Sequence, residues 1–353
     1  MPSSPLNIAL VGYGLAGRVF HAPLVATAPG LRLHSIVSSR TAEIAADHPQ
    51  ARPCAGVAEV LGDPAIDLVV VATPNDSHAP IARAALQAGK HVVVDKPFAL
   101  HLDEARGLVE EARAHGLVLS VFHNRRWDAD FLTLRSLLDA GALGEVAELH
   151  SHFDRFRPLV PDRWRDRAGP GGGLWYDLGP HLADQALQLF GPPLAVTADL
   201  GIQRHGASAV DYFHVQLRYP RLRVLLHAGS LVPGHGLRFA VHGTGGSWIK
   251  HGLDPQEDAL RAGLRPGSGD GWGQDPRPGV LLRVGDDGPV AEDASAPALR
   301  GDWPAYYAGV RDAIVRGGLP PVTGDSALLV MALIDAAKRS DAERREVDFA
   351  WAG

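Results

Sequence analysis

Asp177 and His181 stand four residues apart in GGGLWYDLGPHLADQ, where three glycines lead into a mostly apolar helical pattern that runs to Phe190. At i and i+4 the two side chains share a helical face and can reach a common point. A carboxylate that holds an imidazole fixes its tautomer and raises its basicity, which suits taking a proton from an alcohol. The competing reading is structural, with Asp177 capping the helix and His181 satisfied in the core. Lys96, in HVVVDKPF, is a third candidate, because an ammonium group at the end of a buried strand is costly unless it reaches a cleft or a partner. Asp95 beside it is the partner a structural reading supplies.

A second group of residues points to a dinucleotide. IALVGYGLAGRVFHAPL places Gly12, Gly14 and Gly17 in the pattern G-x-G-x-x-G, after a strand and opening a helix, with Tyr13, Leu15 and Ala16 in the same loop. The first glycine permits the tight turn, the second lets a pyrophosphate approach the backbone, and the third lets helix and sheet pack closely. The helix N-terminus offers free N–H groups to the phosphates. The second strand ends in IVSSR, so Ser38, Ser39 and Arg40 stand where NAD-binding chains usually carry an acid. Two hydroxyls and a guanidinium suit a 2′-phosphate, which favours NADP and leaves NAD possible; a solvated loop arginine is the plain alternative. Thr73, Pro74 and Asn75 end a further strand on the edge where open sheets bind ligands, with His78 opening the next helix as either cofactor contact or surface cap. No metal is expected: His150 and His152 share a strand face in HSHF but lack the spacing of zinc sites, and hydride chemistry needs no metal.

The elements that must position these residues come in two styles. NIALVGYG, LRLHSIVSS, IDLVVVATP, HVVVDKP and LVLSVFHN read as buried strands separated by helices, the pattern of a parallel sheet covered on both faces. After Asn124 the strands alternate: in DYFHVQLRYP, Phe213, Val215, Leu217 and Tyr219 face one way and Tyr212, His214, Gln216 and Arg218 the other. That pattern implies an antiparallel sheet with one face buried and one open. The expected fold class is therefore α/β, with a Rossmann domain over 1–123 and an α+β domain on a large, mostly antiparallel open sheet over 124–353. Residues 252–300 read as an irregular excursion, and two helices close the chain.

The totals agree. A chain of 353 residues, 46% hydrophobic and 21% charged, is long enough for two domains. A net charge of −6 argues against nucleic acid or an anionic membrane as partner. Cys54 is the sole cysteine, which excludes an internal disulfide, and the N-terminus lacks a basic signal-peptide region; a soluble cytoplasmic protein is expected. The open sheet predicts a homodimer or homotetramer through that face.

Together, GYGLAGRVFHAPL, ATPNDSH, AGKHVVVDKPF, FHNRRWD and GGGLWYDLGPHLADQ resemble, in order and spacing, the Gfo/Idh/MocA family of sugar and inositol dehydrogenases. RVFHAPL, VFHNRRWDADFLTL, SHFDRFRP and GLDPQEDAL look like its subgroup of NADP-dependent scyllo-inositol 2-dehydrogenases. The resemblance implies a catalytic trio of Lys96, Asp177 and His181 that oxidises a cyclic polyol or sugar to a ketone. It also implies glycines that let the chain pass beneath a nicotinamide and Asp95 and Asn124 among the cofactor contacts; with the polar side chains on ELHSHFDRFRP and its sequel, it makes Asn124, His152, Asp154, Arg157 and Trp164 candidate substrate contacts, an ordinary solvated sheet face being the plain alternative. The same fold also serves sugar-responsive regulators that bind the dinucleotide without turnover, and that reading stays open beside dehydrogenases of aldoses.

Overall fold

The computed structural model describes residues 4–234, 236–285, 288, 290–293 and 298–351, the side chains of Trp164 and 290–293 excepted. The chain packs as two units, one of residues 1–124 with 256–272 and 302–328, the other of 125–255 with 273–301 and 329–353. A division at 123/124 thus assigns to the second domain two segments that pack in the first unit. Their contact residues explain why. Tyr307 of the late segment bonds His21, and Tyr306 bonds Ser120, so apolar and polar partners for the first unit lie far down the chain.

The first unit holds a six-stranded sheet of β1 (Leu6–Val11), β2 (Leu31–Val37), β3 (Arg52–Cys54), β4 (Leu68–Val71), β5 (His91–Val94) and β6 (Leu119–Val121). Its order is β3-β2-β1-β4-β5-β6 and every recorded pairing is parallel. The valine-rich runs are buried throughout, as a sheet covered on both faces requires. The connections carry α1 (Ala22–Thr27), α2 (Thr41–Asp47), α3 (Val57–Leu61), α4 (His78–Gln87) and α5 (Leu102–Ala114). Strand order reverses between β1 and β4, the switch point at which open sheets of this kind take ligands.

The second unit begins with α6 (Ala129–Asp139), β7 (Val146–His152) and α7 (Leu174–Phe190). It continues with β8 (Ala195–Gly201), β9 (Tyr212–Arg218), β10 (Arg223–Gly229), β11 (Leu237–Gly243) and β12 (Gly246–His251). α8 (Gln256–Arg261) returns to the first unit, and β13 (Val280–Val284) with β14 (Val290–Asp293) extends the second sheet, so the 252–300 stretch is more ordered than its Gly/Pro content suggests. Then come α9 (Pro304–Arg316), α10 (Gly324–Glu343) and β15 (Val347–Asp348). The sheet order is β14-β13-β12-β11-β7-β10-β9-β8-β15; only the β7/β10 pair is parallel among the recorded ones. The alternation read in β9 holds: Phe213, Val215, Leu217 and Tyr219 are buried, and Tyr212, His214, Gln216 and Arg218 are half-exposed. α7 packs on the buried face through Trp175, Leu178, Leu182 and Ala186. Among the described residues no helix is long and apolar enough to cross a membrane.

Candidate active site

In the first unit the loop after β1 divides labour among its glycines. Gly12 has φ +102°, and a Cβ there would lie 2.4 Å from the Ala72 carbonyl oxygen, so only glycine makes this turn against the end of β4. A Cβ on Gly17 would lie 2.0 Å from the Gly12 carbonyl oxygen, which ties the following helix to the loop. On Gly14 it would meet no atom within 4 Å. Its backbone therefore stays open to a large group such as a pyrophosphate, and the exposed Leu15 borders the same opening. Ala16–His21 then winds as a π-helical turn, a form frequent at functional sites.

Beside this loop, Tyr13 is buried and its hydroxyl donates to Asp47 at 2.9 Å; burial and the Asp47 charge push the phenol up. Ser38 Oγ accepts the Arg40 N–H at 3.2 Å, and Ser39 lies exposed between them. Arg40 is half-exposed and 3.6 Å from Glu43, which Arg18 also holds at 2.6 Å. Two guanidiniums thus flank the end of β2, where the sequence reading found one.

Thr73, Pro74 and Asn75 follow β4, and the Thr73 methyl sits against Gly12. His78 is not free to face a ligand: its ring nitrogens lie 2.8 Å from the Pro97 carbonyl and 3.0 Å from that of Thr73. It ties the ends of β4 and β5 together, and, buried with both ring nitrogens on carbonyls, it fits neither the expected cofactor contact nor the surface cap. Burial holds its imidazole below the usual range, against the pull of Asp95 and the two carbonyls. Asp95 accepts the Lys96 main-chain N–H at 2.9 Å and faces His21 Nε2 at 3.6 Å. Burial pushes the Asp95 carboxyl up, but His21 and Lys96 beside it outweigh this and hold it at about 2. Lys96 is half-buried at the end of this braced strand, and Asn124 is buried at the start of the turn Asn124–Trp127.

In the second unit, α7 starts at Gly173, with φ +87° and a Cβ position 3.0 Å from the Val210 carbonyl oxygen; a Cβ on Gly172 would lie 2.5 Å from that of Arg167. These glycines answer to packing within their own unit, so they need no nicotinamide to explain them. Asp177 lies in the first turn but is not the cap, and its Oδ2 takes Arg155 Nη1 at 3.2 Å. His181, one turn on, is buried with its ring stacked 6.4 Å from that of Phe153. Arg125 and Arg155 lie over the Phe153 ring at 4.6 and 5.0 Å. The imidazole and the carboxylate therefore share a helical face beside two guanidiniums. Arg157 is within electrostatic reach of Asp177; burial and the charges of Arg155 and Arg163 push it down.

The face continues with Asp184 and Gln185. Asp184 takes two bonds from Arg126, at 2.6 and 2.9 Å, both side chains nearly buried. Gln185 donates to the Arg125 carbonyl at 2.7 Å and accepts from Arg238 at 2.5 Å, and Arg238 also holds Asp130 and Ser151. This ladder locks α7 against 125–130 and β11, so the orientation of Asp177 and His181 is fixed from below. The sequence reading missed Arg155, Arg126, Asp184 and Gln185. Polar residues at i+7 and i+8 of the Asp177 stripe, in an otherwise apolar helix, were the available signal.

Two expected substrate contacts are corrected. His152 and Asp154 alternate with Phe153 and Arg155, and so face away from α7 and from Asp177 and His181. Trp164 opens the turn Trp164–Asp166, and its side chain lies outside the described residues.

Residues 6–123 match the family model described as oxidoreductase family, NAD-binding Rossmann fold, and residues 135–349 match that of its C-terminal alpha/beta domain. The chain belongs to the Gfo/Idh/MocA oxidoreductases. Within that family it is 51% identical to the uncharacterized oxidoreductase YdgJ of Escherichia coli, covering 97% of this chain and 98% of that one. It is 41% identical to IolW of Bacillus subtilis, named as an NADP(+) scyllo-inositol 2-dehydrogenase, over 97% and 95% of the two chains. A Yersinia pestis structure whose name goes no further than oxidoreductase superposes with TM-score 0.95 at 48% identity, covering 99% of each chain. The protein is accordingly an oxidoreductase with a Rossmann dinucleotide-binding domain.

Proposed function

We propose that this oxidoreductase is an NADP-dependent dehydrogenase of a cyclic polyol or sugar, of the scyllo-inositol 2-dehydrogenase type. The observation that carries the reading is the α7 face, with Asp177 and His181 one turn apart and Asp177 held by Arg155. The 41% identity to IolW, whose name states that activity, supports the substrate class and the cofactor.

In this reading His181 takes the proton of a secondary hydroxyl as general base, and Asp177 stabilises the imidazolium that forms. Lys96 carries the role that family resemblance assigns it, donating a hydrogen bond to the same oxygen as negative charge develops there. When bound, NADP supplies the nicotinamide carbon that takes the hydride. The open backbone at Gly14 and the helix after it hold the pyrophosphate, and Arg40 with Arg18 holds the 2′-phosphate.

The test follows NADPH oxidation against a panel of keto-inositols and keto-sugars. Lys96→Met and His181→Ala are each expected to lower turnover by roughly 10²–10⁴-fold while NADPH affinity stays near wild type. Wild-type turnover in either variant refutes the roles. Tight NADPH binding without oxidation against any keto-polyol would instead mark a dinucleotide-binding regulator.

A further inference from the structure

On the sheet face turned away from α7, four histidines and an aspartate stand together. The register of three adjacent strands sets His152 of β7 beside His227 of β10, and His227 beside His214 of β9. His150 lies on the same face, its ring 6.1 Å from that of His152. Asp154, just past β7, reaches both central imidazoles, with His152 Nδ1 3.2 Å from Oδ2 and His227 Nε2 3.4 Å from Oδ1. One ligand atom from each of His152, Asp154 and His227 lies within 4.8 Å of the other two.

We propose that His152, Asp154 and His227 form a binding site for a divalent transition-metal ion of the zinc type, distinct from the Asp177–His181 site. Zinc holds imidazole nitrogen and carboxylate oxygen at about 2.0–2.2 Å, so its ligand atoms stand roughly 3.3 Å apart on a tetrahedron. His152 and His227 approach different oxygens of Asp154, at 3.2 and 3.4 Å, both near that edge, and the first contact is also a hydrogen bond that a bound ion would replace. Two imidazoles with one carboxylate select zinc and its neighbours over magnesium or calcium, which prefer oxygen ligands throughout. The Gly229 N–H donates to Asp154 Oδ1 at 2.9 Å and orients the carboxylate, as outer partners do in metal sites.

Glycines leave space for the ion. A Cβ on Gly229 would lie 3.8 Å from both Asp154 Oδ1 and His227 Nε2, and one on Gly236 would lie 3.5 Å from Asp154 Oδ2. The side chains are sheltered yet reachable, at 20%, 7% and 17% exposure for His152, Asp154 and His227. Zinc motifs are usually read from spacing along the chain. Here one ligand comes from a strand far downstream, so HSHF alone carried no such signal.

The experiment strips the whole protein of metal with a chelator, then titrates it with zinc sulfate in a calorimeter. One equivalent per chain is expected, with affinity lowered at least ~10-fold in His227→Gln and in Asp154→Asn. Circular dichroism and the thermal denaturation profile serve as the check that each variant is folded. Absence of zinc binding to the wild type overturns the proposal, as does wild-type affinity in both variants. Should a variant fail to fold, cobalt(II) added to the stripped wild type decides. Intense visible bands of a four-coordinate ion are expected, and a spectrum unchanged from aqueous cobalt overturns the site.

Discussion

Replacing Gly14 and Gly17 by alanine, one at a time, separates a glycine kept for a ligand from a glycine kept for the fold. Gly14 has no positive φ, and its added Cβ meets nothing within 4 Å, so Gly14→Ala should leave stability within about 1 kcal/mol of wild type. Its methyl would occupy the space assigned to the pyrophosphate. Losing a charge-assisted bond to a phosphate costs about 1.5–3 kcal/mol, which corresponds to an NADPH affinity roughly 10–150-fold weaker. Gly17→Ala behaves in the opposite way. Its Cβ falls 2.0 Å from the Gly12 carbonyl oxygen, a backbone atom that cannot swing aside. Overpacking of that kind costs at least ~1–3 kcal/mol, or a melting temperature lower by ~2–4 °C per kcal/mol in a unit of this size. Thermal denaturation and NADPH fluorescence titration on both variants give the four numbers needed. Wild-type NADPH affinity in a folded Gly14→Ala protein would refute the placement of the pyrophosphate.

Three other outcomes test the remaining architecture. Arg40→Ala should weaken NADPH about 10–100-fold and NADH far less, measured by the same titration; equal weakening of both removes the argument for a 2′-phosphate site. Asp95 has a folded pKa of about 2, below the unfolded carboxyl value, so its contribution to stability is present above roughly pH 4 and is lost as pH falls towards 2. Denaturation across that window should show a steeper acid limb for the wild type than for Asp95→Asn, and identical limbs would contradict the assignment. Asp184→Ala removes both bonds that Asp184 takes from the nearly buried Arg126 and should lower unfolding free energy by about 3–5 kcal/mol; an unchanged urea midpoint would contradict this.

Much of this was legible in the residues because the physics is local. Gly12 and Gly17 each answer to one steric demand within the chain, and the alternation in β9 directly reports a sheet with one covered face. The limits are equally physical. Period-two alternation separates His152 and Asp154 from Phe153, Arg155 and Arg157 but does not say which set meets α7, so residues of both sets stand among the expected substrate contacts. Arg126 and Asp184 are 58 positions apart, and no spacing rule pairs them. The short strand β3 and the helix α8 lack the length that makes periodicity visible. The return of 256–272 and 302–328 to the first unit depends on long-range packing that composition does not encode.

That return has a consequence for how the chain comes into being. His21 and Tyr307, bonded at 2.6 Å, are 286 positions apart, and the Ser120 hydroxyl donates to the Val322 carbonyl. A nascent chain that has emerged only as far as β6 therefore holds the whole glycine loop but lacks the tail residues that cover His21, Ser120 and Phe122. The first unit is therefore complete only once residues 302–328 have been made, and a fragment ending at residue 124 is expected to be less stable to urea alone than with that segment supplied in trans.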